Sequence, residues 1–198
     1  MSVTVIRYDP GMGRWEPNAQ GRLAQAAMEL YAERGFEQTT VAEIAKRARL
    51  TERTFFRHFA DKREVLFFGQ DMLQELMVSA VASAPESASP LDAVTAALEA
   101  TSPVFEERRD RARTRQAVIT ANPDLQEREL IKLAALAAAI AGMLRQRGVK
   151  DPAASLTAEA GIAVFKVAFE RWVSATEGDL TQFIRESLDE LRAVTAGA

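Results

Sequence analysis

The chain has no cysteine and a single histidine, His58. The first absence removes disulfides, thiolate metal sites and cysteine nucleophiles. The second leaves no His/Cys/Asp/Glu spacing of the kind that holds a metal. There is no glycine-rich phosphate loop and no nucleophile–base pair, and Glu106 and Glu107, adjacent in sequence, do not face each other on a helix. An enzyme is therefore not expected, nor a cofactor. Long apolar runs are also missing. The longest alanine- and leucine-rich stretch, residues 133–144, is too short for a spanning helix, which needs about 20 residues. Residues 1–18 show no apolar leader. No membrane partner is expected, and the expected setting is cytoplasmic.

What is present is apolar residue at helical spacing, with no strand-like alternation. The 198 residues suit one large domain or two small ones sharing an interface. Charge is unevenly placed. Residues 41–63 hold seven basic side chains (Lys46, Arg47, Arg49, Arg53, Arg57, Lys62, Arg63) against Glu43, Glu52 and Asp61. That is a local excess of four in a chain whose formal net charge is −3. A basic patch on an acidic body is the footprint of a surface that meets a polyanion.

The spacing predicts about nine helices. The first covers residues 18–34, with Gly35 as its left-handed terminator. The second is short and opens on a capping box, Thr40 with Glu43. The third begins after Thr51, a natural N-cap, and runs to about Phe59. Asp61 and Glu64 repeat the box and open a fourth helix, predicted to turn Val65, Phe68, Met72 and Leu76 inward and to end before Pro85. Pro90 and Pro123 suit first helical positions, Pro103 interrupts or starts a helix, and Asp151 and Pro152 cap the next long one. Gly178 and Asp179 precede the last. The arginine-rich run 106–116 reads as salt-linked helix surface, with one arginine a candidate for an anionic ligand.

Two short helices with a tight turn between them, the second one basic, have the pattern of a helix-turn-helix. Such a unit places its second helix in the major groove and holds phosphates with helix starts, hydroxyls and cations. Thr39, Thr40, Thr51 and Thr54 supply hydroxyls at two helix starts, and Lys62 sits at a third.

The stretch "TTVAEIAKRARLTERTFFRHFADKREVLF", residues 39–67, resembles the DNA-binding segment of the TetR family of bacterial transcriptional regulators. Thr40, Ile44, Ala45, Ala48, Thr51, Thr54, Phe59, Lys62 and Val65 or Leu66 fill that family's pattern, and the likeness reaches back through residues 26–38. Two positions depart from it. Arg49 stands where the family has its turn glycine, and Phe56 where it has a tyrosine. The resemblance implies an all-α protein with an N-terminal helix-turn-helix DNA-binding domain and a C-terminal helical ligand-binding and dimerisation domain. The division is a flexible arm over 1–17, a DNA-binding domain over 18–67 and a regulatory domain over 68–198. The expected DNA-facing residues are Thr39, Thr40, Arg49, Thr51, Arg53, Thr54, Phe56, Arg57, His58 and Lys62. Phe56 itself fits groove or core, and Arg7 and Arg14 of the arm are candidates for a neighbouring minor groove.

The resemblance further implies a homodimer, with the last two long helices packed against their twins, a double-stranded DNA operator, and a small-molecule effector. The effector pocket is expected to be apolar, drawn from Leu98, Phe105, Met143, Phe165 and Phe169. The long seventh segment offers Leu130, Leu133, Ala134, Ala137, Ile140, Ala141 and Leu144 as one apolar face. The function implied is a ligand-responsive repressor that binds a palindromic operator and is released by its effector. An activator with the same head, or a helical protein-interaction module, is the alternative.

Overall fold

A computed structural model describes residues 19–197. Among them the chain forms nine α-helices and one short 3-10 turn. The helices are α1 (Ala19–Arg34), α2 (Val41–Arg47), α3 (Glu52–His58), α4 (Gln70–Ser83), α5 (Pro90–Glu106), α6 (Arg109–Thr120), α7 (Pro123–Gln146), α8 (Ala153–Ser174) and α9 (Leu180–Ala196). The 3-10 turn is Glu64–Phe67. The arm over 1–17, with Arg7 and Arg14, lies outside the described residues.

Local chemistry accounts for most of the boundaries. Gly35 ends α1 at φ 86°, and Phe36 folds back so that its ring meets Tyr31 at 5.2 Å. The Thr40–Glu43 capping box is complete in both directions. Ser89 and Asp179 cap α5 and α9 through their side chains, and Pro90 and Pro123 occupy first-turn positions.

Three expectations are corrected. The segment from Glu64 is not one helix. Asp61 accepts from the backbone of Arg63 and Glu64 at 2.8 and 3.1 Å, but the turn it starts ends at Phe67. Gly69, at φ 90°, restarts the chain as α4. The restart rotates the helical face. Met77 and Val81 point inward, Leu76 is half-buried and Met72 is 56% exposed. The stretch Glu64–Ser83 is long and apolar enough to cross a membrane by composition alone, yet it is broken at Gly69 and α4 packs on α5 and α7. Second, Pro103 neither interrupts α5 nor starts a helix. It lies within the last turn of α5, and its missing N–H removes the single intrahelical bond to the carbonyl of Glu99. Third, of the pair expected to cap α8, Pro152 is the N-cap residue and Asp151 lies just before it. The Asp151 carboxylate is held by Arg145 at 2.6 Å and Ser155 at 2.9 Å.

The apolar interior divides into two clusters. One is built by α1–α3 and the 3-10 turn around Leu23, Leu30, Ile44 and Phe55, and it takes in Val118, Ile119 and Leu125 from α6 and α7. The other fills the bundle α4–α9 around Leu98, Ile140, Leu144, Phe165 and Trp172. In α7 the inward residues are Leu136, Ala137, Ile140, Ala141 and Leu144, whereas Leu130 and Ala134 face outward. Helices α5 and α8 approach closely at Gly161, where a Cβ would stand 2.4 Å from Val94 Cγ1.

The α6 arginines form the expected salt-linked surface only in part, with Arg113 paired to Asp110 at 3.6 Å and Arg115 to Glu129 at 2.7 Å. Arg109 and Arg113 donate to the carbonyls of Trp172, Val173, Ala175 and Gly178, at and just beyond the end of α8. Cations there complement the negative end of the helix dipole. Arg115 donates to Leu66 O and to Glu129, each at 2.7 Å, and so ties α6 to the 3-10 turn and to α7.

Candidate nucleic-acid interface

The turn from α2 to α3 follows the Schellman pattern. Leu50 N–H bonds Ala45 O at 2.8 Å and Arg49 N–H bonds Lys46 O at 3.0 Å. The pattern needs a left-handed residue after the C-cap, and Arg49 takes it at φ 55°. An L-residue there costs about 1 kcal/mol relative to glycine. Support comes from α1. Arg22 donates to the carbonyl of Ala48, the C-cap of α2. Arg47 forms a two-pronged pair with Glu33 at 2.8 and 2.7 Å and reaches Glu29 at 3.3 Å. The Arg47 bond holds the Glu33 carboxyl below its ordinary pKa.

Helix α3 is fixed at its start and along its inner face. Thr51 accepts from Thr54 N–H at 3.1 Å, and the two hydroxyls share a bond of 2.9 Å. Phe55 and Phe59 are buried with ring centroids 5.5 Å apart. The outer face then presents Arg53, Phe56 and Arg57. Phe56, readable from sequence as groove or core, is 56% exposed. His58 is half-buried beside Arg57, 3.5 Å away. Among the described residues Arg49, Arg53 and Arg57 make no ion pair, and neither do Lys46 and Arg63. Arg53, Phe56 and Arg57 thus share the outer face of α3, two arginines without an ion pair among the described residues flanking an exposed aromatic ring.

Two expected donors are committed elsewhere. Thr39 is 1% exposed and its hydroxyl donates to Gly35 O at 2.9 Å. Lys62 turns inward. Its ammonium donates to the carbonyls of Phe36, Glu37 and Thr39 at 2.8, 3.2 and 3.0 Å and lies 4.4 Å from the Phe36 ring centre. An ammonium has three donors, so all of them are used. Tyr31, whose pKa is raised by burial, closes the same junction by donating to Lys62 O at 2.7 Å. Thr40 is exposed at the start of α2 with its hydroxyl shared with Glu43. Lys46 and Arg63 belong to the basic patch read from the sequence but not to the residues expected to face DNA, and Arg22 belongs to neither. Lys46 and Arg63 stand out as exposed and unpaired only once their neighbours are known. Arg22 lies 26 residues from its acceptor, beyond the reach of any local spacing rule.

The five residues expected to line an effector pocket do come together, but as packed interior. Leu98, Phe165 and Phe169 are buried, while Phe105 and Met143 are half-buried against them. Phe105 stands 5.9 Å from Phe165 and 5.3 Å from Phe169, centre to centre. Two open depressions lie elsewhere, one between α1 and the α2–α3 turn, the other along the outer side of α7 at Arg128 and Ile131. None of the five lines either.

Comparison with known proteins agrees with this arrangement. The profile of bacterial regulatory proteins of the TetR family matches residues 23–67, and that of the MftR C-terminal domain matches residues 88–196. The transcriptional regulator TcmR of Streptomyces glaucescens is 38% identical over 79 residues, 40% of this chain and 35% of that protein. This chain thus spans about a third of TcmR. MftR of Mycobacterium tuberculosis, a regulator assigned to mycofactocin biosynthesis, is 26% identical over 190 residues, covering 94% of this chain and 96% of that one. Among solved structures, FadR of Thermus thermophilus, a TetR-family repressor in complex with lauroyl-CoA, superposes with a TM-score of 0.54. It is 26% identical, over 86% of this chain and 91% of FadR. The chain belongs to the TetR family of bacterial transcriptional regulators.

Proposed function

We propose that this regulator is a repressor that binds a palindromic operator as a homodimer in the cytoplasm and leaves it when a small molecule enters the helical body. The observation that carries the reading is the outward face of α3, where Arg53, Phe56 and Arg57 are exposed and no acid of the described residues neutralises the arginines. Arg53 and Arg57 suit base edges or phosphates, and Phe56 suits a thymine methyl or a sugar. Thr40, Arg49, Thr51, Thr54 and His58 border that face and are assigned to phosphate contact. Thr39 and Lys62 are assigned to holding the head together. The division proposed is a DNA-binding head over 18–67 and a regulatory body over 68–198.

Two-fold symmetry lets two α3 helices meet half-sites one or more helical turns apart. Leu156 and Val167 on α8 and Val194 on α9 are exposed, which supports pairing of these helices with their twins. The aromatic interior of the body, and the lauroyl-CoA carried by Thermus FadR, support an effector with a large apolar part. The test is selection of bound duplexes from random DNA by the full chain. A palindromic consensus is expected, together with a dimer mass in solution. Absence of any enriched sequence would overturn the reading.

A further inference from the structure

Helix α7 carries an uncovered face that the DNA-binding reading does not use. Leu130 and Ile131 are large apolar side chains in one turn, 56% and 62% exposed. Ala134, Ala135 and Ala138 continue the face over the next two turns and are exposed as well. Glu127, Ile131, Ala134, Ala138 and, two turns on, Arg145 recur at the spacing that keeps one side of a helix in line.

The two ends of this face carry opposite charge. Asp124 and Glu127 are exposed near the start of α7 and make no ion pair among the described residues. A depression lined in part by Asp124, Glu127, Ile131 and Ala135 lies at that end. Arg145 is exposed at the other end, and Lys150 follows it, exposed and without an ion pair among the described residues. Arg145 spends Nε and Nη2 on Asp151 and Ser155, which leaves Nη1.

A face with an acidic end, an apolar middle and a basic end matches its own copy reversed. Laid antiparallel, Glu127 of one helix meets Arg145 of the other, and Ala134 meets Ala138. Leu130 then comes over Gly142, which has no side chain to oppose it. The helix dipoles also oppose favourably. A parallel pair puts Glu127 on Glu127 and Arg145 on Arg145. Self-complementarity of this kind is what a two-fold contact between identical chains requires. The contact is one helix on each side, 24 residues and about 36 Å long, so it belongs to the small, reversible class of interface.

The polarity of α7 decides which copies it joins. The helix starts at the head, where Leu125 enters the head's apolar cluster and Arg128 pairs with Glu64 of the 3-10 turn. Two antiparallel α7 helices therefore point their heads in opposite directions. Such a pair does not set two α3 helices on one palindrome.

We propose that the outer face of α7 is a second self-association surface, on which α7 packs antiparallel against α7 of another copy and joins two DNA-reading dimers into a tetramer with heads at both ends. The tetramer rests on the α8–α9 pairing proposed above; the α7 contact itself does not. One such assembly holds two duplexes at once.

Sedimentation velocity of the full chain across a concentration series tests the contact. The wild-type chain is expected to pass from dimer to tetramer as concentration rises. Ala138→Glu places a charge at the crossing on an exposed position, and is expected to stop at the dimer with its helical circular-dichroism signal unchanged. Glu127→Arg is expected to move the transition about tenfold or more upward in concentration, because the two-fold repeats the change. The chain has no cysteine, so Ala134→Cys and Ala138→Cys chains can be mixed, and a disulfide joining the two variants is expected on oxidation. Absence of that mixed product overturns the antiparallel register. A dimer at every concentration in both wild type and Ala138→Glu, or a tetramer that Ala138→Glu leaves intact, overturns the α7 contact and leaves the repressor reading standing. A wild-type dimer that Ala138→Glu turns into a monomer keeps the α7 contact and overturns the α8–α9 pairing.

Discussion

Arg22 on α1 holds the carbonyl of Ala48, the residue at which α2 ends and the turn to α3 begins. The bond sets the attitude of α3 from outside the helix-turn-helix. Arg22→Met is expected to weaken operator binding about tenfold while leaving its salt dependence unchanged, because no phosphate contact is lost. Arg53→Ala provides the contrast. If Arg53 meets phosphate, its salt slope falls by about one; if it meets a base, sequence preference relaxes at one position. Fluorescence anisotropy across a salt series separates these cases. A reduced slope for Arg22→Met would place that residue on the DNA.

Lys62 joins the loop after α1 to the segment after α3 through three carbonyls. Lys62→Ala leaves those acceptors without their cation and is expected to lower stability by about 1–3 kcal/mol. Denaturant unfolding measures this. Unchanged stability with weaker, less salt-dependent DNA binding would return Lys62 to the phosphate role read from its sequence position.

The α5–α8 contact depends on the missing side chain of Gly161. A methyl there would stand 2.4 Å from Val94 Cγ1. Gly161→Ala is expected to destabilise the body by about 1–3 kcal/mol. Adding Val94→Ala removes the obstructing methyl, so the double variant is expected to be more stable than the sum of the two single changes allows. Strict additivity in thermal melts would show that the helices separate freely at this point.

Acid should loosen the head. The backbone N–H and hydroxyl of Thr40, with Arg34 nearby, hold the Glu43 carboxyl below its ordinary value of 4.5. The Arg47 bond does the same for Glu33. A carboxyl lowered by folding contributes stability that is complete above its unfolded pKa and is lost as pH falls through the folded value. The loss therefore begins near pH 4.5 and continues below it. Glu43→Gln is expected to be less stable near neutrality and to lose less stability on acidification, as followed by circular dichroism. An unaltered acid profile in that variant would remove Glu43 from the account.

The parts legible in sequence are those decided within a few residues. The Thr40–Glu43 box, the Thr51 cap, the Gly35 stop and the prolines opening α5 and α7 each involve neighbours along the chain, and local chemistry decided them. In α3 the same short-range spacing puts Phe55 and Phe59 on the buried face. What stayed hidden is set by distant partners. Nothing near Lys62 says that its ammonium returns to carbonyls 23 to 26 residues earlier. Nothing near Arg109 or Arg113 marks the end of α8, 60 or more residues away, as their target. Spacing alone also missed a change of register. Gly69, at φ 90°, restarts the apolar face between Phe68 and Met72, a break that helical spacing does not show.

The central claim is that the outward face of α3 reads DNA. Its most direct test is to select duplexes from random DNA with the wild-type chain and with Arg53→Ala and Phe56→Ala, and to compare the consensus sites. The account predicts one palindrome with the same half-site spacing in all three. In each variant, base preference relaxes at matching positions of both half-sites. An identical consensus with full preference in both variants would contradict the claim and move DNA reading away from α3.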